Sequence, residues 1–142
     1  MKNKYDLPCN IAQTLNLIGD RWTLLIIHEI FLGKKTYKDL EEKLTGIASN
    51  LLSNRLKELE KIGIIKSEIY QQRPRRYIYT ITPKGEDLRD VFNSIILWGH
   101  KHLEVCYKKI VDKATGELVE LRYYNPKNGK ILSGEEIEVK NI

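Results

Sequence analysis

An α+β fold is predicted, a helical body carrying one β-hairpin, and three stretches of sequence predict it. From 48 to 62 the chain runs ASNLLSNRLKELEKI, with Leu52, Leu56 and Leu59 at i, i+4 and i+7 as one buried stripe. A shorter helix precedes this run across a glycine turn. Two β-patterned runs follow it, separated by the basic cluster Arg73, Pro74, Arg75 and Arg76. Helix, turn, helix and hairpin in that order make a winged helix-turn-helix.

In chain order, Ile11, Ala12, Leu15 and Ile18 form an amphipathic stripe on a first helix. A second helix beginning at Asp20, with the run RWTLLIIHEIFL, is apolar enough to be the buried centre of the body. Thr36, with Asp39 three residues later, resembles a capping box and opens a short helix bearing Tyr37, Leu40 and Leu44. The run LTGI, through Gly46, turns the chain into the recognition helix, and Gly63 ends that helix. Ile64, Ile65, Ile69 and Tyr70 read as a strand, residues 71–75 as the hairpin tip, and Tyr77, Tyr79 and Ile81 as the returning strand. Thr82 caps a helix that begins at Pro83 and runs as one piece to about 103, bearing Leu88, Val91, Phe92, Ile95 and Trp98. The winged body, with its flanking dimerisation helices, is residues 1–103. Residues 104–142 form a small C-terminal β-hairpin appendage, in which GELVELRYYNPKNGKIL alternates around the NPKNG turn and EEIEV adds a third short strand.

The net charge of the 142 residues is +5, with a pI near 9.1. Residues 1–102 hold 17 Lys and Arg against 12 Asp and Glu, whereas residues 103–142 hold 7 of each. The excess charge therefore lies on the body, as contact with a polyanion requires, although a charge this modest is weak evidence alone. An apolar run such as 24–27 is far too short to span a bilayer, and no signal or lipidation motif is visible, so a cytoplasmic protein without membrane contact is expected. Cys9 and Cys106 are isolated, which fits a reducing compartment.

Ser49, Asn50, Ser53, Asn54 and Lys57 fall together opposite the leucine stripe. Asn can bond adenine bidentately, Ser several bases, and Lys57 phosphate or guanine. Such a stripe is also the composition of an ordinary solvated face; the turn before it and the basic hairpin after it favour double-stranded DNA. Arg73, Arg75 and Arg76 would grip the backbone or enter the minor groove, and Thr36 completes the candidate DNA-binding set. Arg55 lies off the stripe and is expected beside the core or paired with an acid.

Apolar surface on the last helix exceeds one stripe, which predicts a homodimer through the first and last helices, with Ile11, Leu15, Ile95 and Trp98 at the interface and a roughly palindromic operator. Of His100, His102 and Cys106, only the last two share a helical face, so no metal site is assigned, and Cys106 has no evident partner. No catalytic or cofactor fingerprint occurs, so neither an enzyme nor a cofactor is expected.

Residues 9–103 resemble the HxlR-type regulators, relatives of the MarR winged helices. Cys9, the core IGDRWTLLI at 18–26 and LSNRLKELEKIGII at 52–65 carry the resemblance. So do Pro74, Arg76, Tyr79 and Thr82 in the wing and Gly85, Leu88, Trp98 and Gly99 in the last helix. The resemblance implies a homodimeric DNA-binding transcriptional regulator. Ala48 stands where such proteins usually have Ser, which would shift the recognition-helix cap to Ser49. Several members sense oxidants or electrophiles through a cysteine at the position of Cys9. A helix N-terminus favours the thiolate there, while a small packed residue at the dimer interface is the other account of Cys9. The tail is similar to the zinc-ribbon-like segment of longer members, without its CxxC ligands. A redox- or ligand-responsive switch of the same fold, taking a small-molecule or oxidant effector, and a protein-interaction winged helix without DNA specificity are the alternatives.

Overall fold

A computed structural model of the chain describes residues 4–142, in two compact units, one ending at Arg89 and the other beginning at Asp90. The first unit opens with α1 (Asn10–Ile18) and α2 (Thr23–Phe31). The predicted α1 stripe divides: Ala12 and Ile18 are buried, whereas Ile11 and Leu15 face outward. In α2, Ile26, Ile27 and Ile30 are buried as expected of the centre, but the helix begins three residues after Asp20. Asp20 accepts hydrogen bonds from the backbone N–H groups of Trp22 (3.0 Å) and Thr23 (3.2 Å) and from the Thr23 hydroxyl. It thus occupies the orphan donors of the first turn.

The helix-turn-helix follows as α3 (Tyr37–Lys43) and α4 (Ser49–Lys61). The α3 capping box is present: the Thr36 hydroxyl accepts from Asp39 N (3.1 Å), and the Asp39 carboxylate accepts from Thr36 N (2.8 Å). That backbone bond first, then the hydroxyl, holds the Asp39 carboxyl below its ordinary pKa. Gly46 makes the turn at φ +95°. Leu52, Leu56 and Leu59 of α4 are buried with Leu40, Leu44 and Ile47, and form the core with the α2 isoleucines and Ile64 and Ile65.

The wing consists of β2 (Ile65–Gln72) and β3 (Arg75–Ile81), longer than expected at the tip, so that only Arg73 and Pro74 lie between them. A two-residue strand, β1 (Lys35–Thr36), not anticipated from sequence, pairs with the other edge of β3, giving an antiparallel order β1-β3-β2. Lys35 faces Tyr79, and Ser67 faces Tyr79 from the opposite side. The β2–β3 register shifts between Ile69 and Gln71, leaving Tyr70 as the extra residue of a bulge.

The expected single helix from Pro83 is two. α5 (Pro83–Glu86) is a short turn capped by Thr82, and α6 (Arg89–His102) starts afresh after it. Packing explains the break. The Thr82 hydroxyl donates to the carbonyls of Gly63 (2.5 Å) and Ile64 (3.0 Å), and Lys84 Nζ donates to Ile62 O (2.7 Å). The α5 segment is thus clamped to the carbonyls at and just beyond the end of α4, with Lys84 covering that of the C-cap residue Ile62. Gly85 is buried there, and a Cβ on it would lie 2.3 Å from Ile64 O.

In the second unit, α6 buries Phe92 and exposes Val91, Ile95 and Trp98. The predicted hairpin around NPKNG is present as β4 (Tyr123–Tyr124) and β5 (Ile131–Leu132), with Tyr123 opposite Leu132. An isolated bridge joins Val111 and Leu118. The third strand expected from EEIEV is absent among the described residues; Gly134–Glu136 is a single 3-10 turn, with Ser133 and Glu136 closing a capping box.

Candidate nucleic-acid interface

The outward face of α4 is set by what anchors its inward face. Asn50, Asn54 and Lys57 are exposed, Ser53 is half-buried, and Arg55 is held away from them. Arg55 pairs through Nε with Asp20 Oδ1 (3.3 Å) and through Nη1 with Glu58 Oε2 (2.6 Å). Arg55 therefore ties α4 to the start of α2, as its position off the stripe required.

The start of α4 differs from expectation. The cap does not move to Ser49: Ala48 keeps the N-cap position without a side-chain bond, and Ser49 is the first helical residue. An acid from the neighbouring helix takes over, because the Ser49 hydroxyl donates to Glu41 Oε1 (2.9 Å). A carboxylate beside a helix N-terminus offsets the missing cap. Tyr37 Oη donates to Ser49 O (2.8 Å) and fixes the same turn from α3. The Ser49 hydroxyl is thus already engaged, while Asn50 uses only its carbonyl, accepting from Leu51 N (2.9 Å), and keeps its amide donors.

Between α4, the start of α3 and the wing lies a groove of about 650 Å³. Of the residues singled out from sequence, Thr36, Ser53, Lys57, Arg75 and Arg76 line it; Ser49, Asn50, Asn54 and Arg73 do not. Arg73 sits at the hairpin tip with Arg75 and Arg76, all three exposed. Among the described residues, Lys57, Arg73, Arg75 and Arg76 make no ion pair, whereas Lys38 pairs with Glu42 and Lys66 with Glu68. Cations left unpaired around a groove are available to phosphates.

Sequence reasoning missed four tyrosines that line this groove, Tyr37, Tyr70, Tyr77 and Tyr79. From sequence, Tyr37 reads only as part of the helical spacing of α3, and the strand tyrosines as plain alternation. The bulge at Tyr70 could not be seen without the register. Burial, then the Glu60 carboxylate, pushes the Tyr79 phenol above its ordinary pKa, so it stays a neutral donor beside the cations. Glu60 itself is engaged, accepting from Ser67 Oγ (2.5 Å) and Ser67 N (3.1 Å).

The two cysteines are free and exposed. Cys9 is the N-cap residue of α1, and the segment before it is tied down: Gln13 Nε2 donates to Leu7 O (2.8 Å) and Asn16 Nδ2 to Tyr5 O (3.0 Å). Cys106, expected to lack a partner, has two. Its Sγ lies 2.9 Å from His100 Nδ1 and 3.3 Å from Lys108 O. Because α6 ends at His102, helical spacing does not extend to Cys106; His102 stacks instead on Trp98, ring centroids 4.9 Å apart. No helix among the described residues is long and apolar enough to cross a membrane.

Comparison with known proteins agrees with this geometry. The family model described as HxlR-like helix-turn-helix matches residues 17–107. The chain belongs to this family. The HTH-type transcriptional regulator YodB of Bacillus subtilis (strain 168) is 37% identical over 94 residues, 66% of this chain and 84% of YodB. Among solved structures, the redox regulator HypR in its oxidised form is similar with a TM-score of 0.62 and 29% identity, over 68% of this chain and 100% of its own. PA1374 from Pseudomonas aeruginosa is similar over 94% of this chain and 92% of its own, tail included, with a TM-score of 0.70 and 30% identity. HxlR-type proteins are transcriptional regulators rather than enzymes, and the winged helix-turn-helix described above is their fold.

Proposed function

We propose that this DNA-binding transcriptional regulator binds a pseudo-palindromic operator as a homodimer, with α4 in the major groove and the wing on the flanking backbone. The observation that carries this reading is one surface on which the exposed polar stripe of α4 meets the unpaired cations of the wing, through the groove that Lys57, Arg75 and Arg76 share. Asn50 and Asn54 offer amide groups to base edges, and Ser53 a hydroxyl. Ser49 serves more to orient the helix than to read bases, because Glu41 holds its hydroxyl. Thr36, Lys57, Arg73, Arg75 and Arg76 contact phosphates and set the register. Ile11, Leu15, Ile95 and Trp98, each exposed in the single chain, provide the dimer contact. The site of action is the cytoplasm, where the DNA lies.

The deciding experiment is fluorescence anisotropy of the protein on the duplex upstream of its own gene against scrambled DNA, across a salt series. Tight binding to the first duplex that weakens steeply with salt is expected. Binding to neither duplex at low salt would favour a protein-interaction winged helix instead.

A second proposal concerns control. Cys9 is free and exposed as the N-cap residue of α1, and HypR is described as a redox regulator. We infer that oxidation or alkylation of Cys9 changes operator affinity. Cys9→Ala is expected to bind the operator normally yet ignore diamide or a quinone; a mutant that still responds would sink the assignment.

A further inference from the structure

The unit beginning at Asp90 contains the part of the chain that the DNA-facing surface does not use. From 103 to 142 no residue is buried, yet the backbone is held in defined turns. Asp112 N donates to Glu117 O (2.9 Å), Val119 N to Ile110 O (3.3 Å), Asn125 N to Lys130 O (2.9 Å) and Gly129 N to Asn125 O (2.9 Å). A hairpin with two-residue strands is marginal in water without a further strand or an apolar cover. The side chains that a cover would bury are already displayed. Leu118, Tyr124 and Ile131 are 62%, 65% and 71% exposed, and Leu121, Tyr123 and Val139 are exposed with them.

The chemistry of the segment narrows what covers it. Residues 103–142 hold 7 basic and 7 acidic groups, so they offer DNA no net attraction. They follow directly on α6, whose exposed Val91, Ile95 and Trp98 stand at i, i+4 and i+7 as one apolar stripe. A stripe of this kind is completed by its own copy across a two-fold axis, since an isologous contact uses the same patch twice. The tail leaves that helix at its last turn, so a two-fold contact through the stripe would bring it beside the other copy. About ten half-exposed large side chains on α6 and the tail, at roughly 80 Å² each, supply on the order of the 800 Å² per partner that a stable interface buries.

We propose that residues 103–142 are a dimerisation arm that closes over a second copy of this chain; this rests on the homodimer proposed above. The test uses the full-length protein. Sedimentation gives the dimer dissociation constant, and hydrogen exchange is then followed well below and well above it. The amides of Asp112, Val119, Asn125 and Gly129 are expected to exchange roughly tenfold or more slowly in the dimer than in the monomer. Leu118→Asp and Ile131→Asp are expected to weaken self-association by about tenfold or more, because interface anchors carry most of the binding energy. Leu32→Asp, at a 61% exposed leucine of the other unit, is the control and is expected to change nothing. A dimer of unchanged affinity in both arm variants, with exchange independent of concentration, would overturn the arm and leave the helix-mediated dimer standing. A monomer at every concentration would overturn both.

Discussion

Thr36 shows how much one residue can be asked to do, since it ends β1, caps α3 and borders the groove proposed for DNA. Thr36→Ala is expected to lower unfolding free energy by about 1 kcal/mol, measured by chemical denaturation, because the cap is lost while the strand survives. Its partner gives a pH signature. The Asp39 carboxyl is held below its ordinary 3.8 in the folded chain, chiefly by the Thr36 N–H. Its contribution is therefore present above that value and disappears as pH falls through the folded pKa. Asp39→Asn should flatten that part of the acid limb, and an unchanged limb would remove the capping box as its cause. This box was legible in sequence because both partners lie within four residues. Arg55 was legible too, as a cation on the wrong side of its helix, although not its partner Asp20, 35 residues earlier. Ser49 was misplaced for the same reason: the Glu41 that engages its hydroxyl and replaces the cap belongs to another helix, and only the folded turn brings them together.

Elements with a strong period came through, and those fixed by tertiary contacts did not. The leucines of α4, the α2 isoleucines and both wing strands follow from spacing, whereas β1 is two residues long and exists only because β3 offers it an edge. The break between α5 and α6 is likewise tertiary, imposed by the clamp of Thr82 and Lys84 on the end of α4. Gly85 is the tightest point of that clamp. Gly85→Ala is expected to cost about 1–3 kcal/mol in thermal or denaturant unfolding, since its Cβ would meet a backbone carbonyl that cannot turn away. At the interface, α4 and the wing are predicted to fail differently. Replacing Arg73, Arg75 and Arg76 together by Ala should weaken binding on every sequence and make it less dependent on salt. Asn54→Ala should instead relax the preference at one base pair, by about 1–3 kcal/mol, in competition with variant operators. Equal losses on all DNA from both changes would reassign Asn54 to a solvated face. The tyrosines of the groove were invisible to periodicity, because Tyr70 reaches it through a bulge and Tyr37 from the mouth of α3.

At the scale of the whole molecule, the proposed DNA site and the apolar stripes make a joint demand. If α4 reads bases as proposed, one copy reads too few base pairs to select a site in a genome, and selectivity would require two copies at a fixed separation. The stripe Val91, Ile95 and Trp98 and the outward residues of α1 are what would hold that separation. In a two-fold complex the recognition helices enter successive major grooves on one side of the duplex, about 34–36 Å apart. Inserting about five base pairs between half-sites turns one of them to the far face and should abolish tight binding, whereas about ten should restore much of it, apart from the cost of bridging a longer span. The same series run with Trp98→Asp discriminates the cause. If Trp98 lies in the dimer contact, the variant binds as single copies, weakly and with no dependence on spacing. A variant that keeps the full periodic dependence would place the two-fold contact elsewhere in the chain, while wild-type binding indifferent to spacing would mean that the second copy adds nothing to recognition.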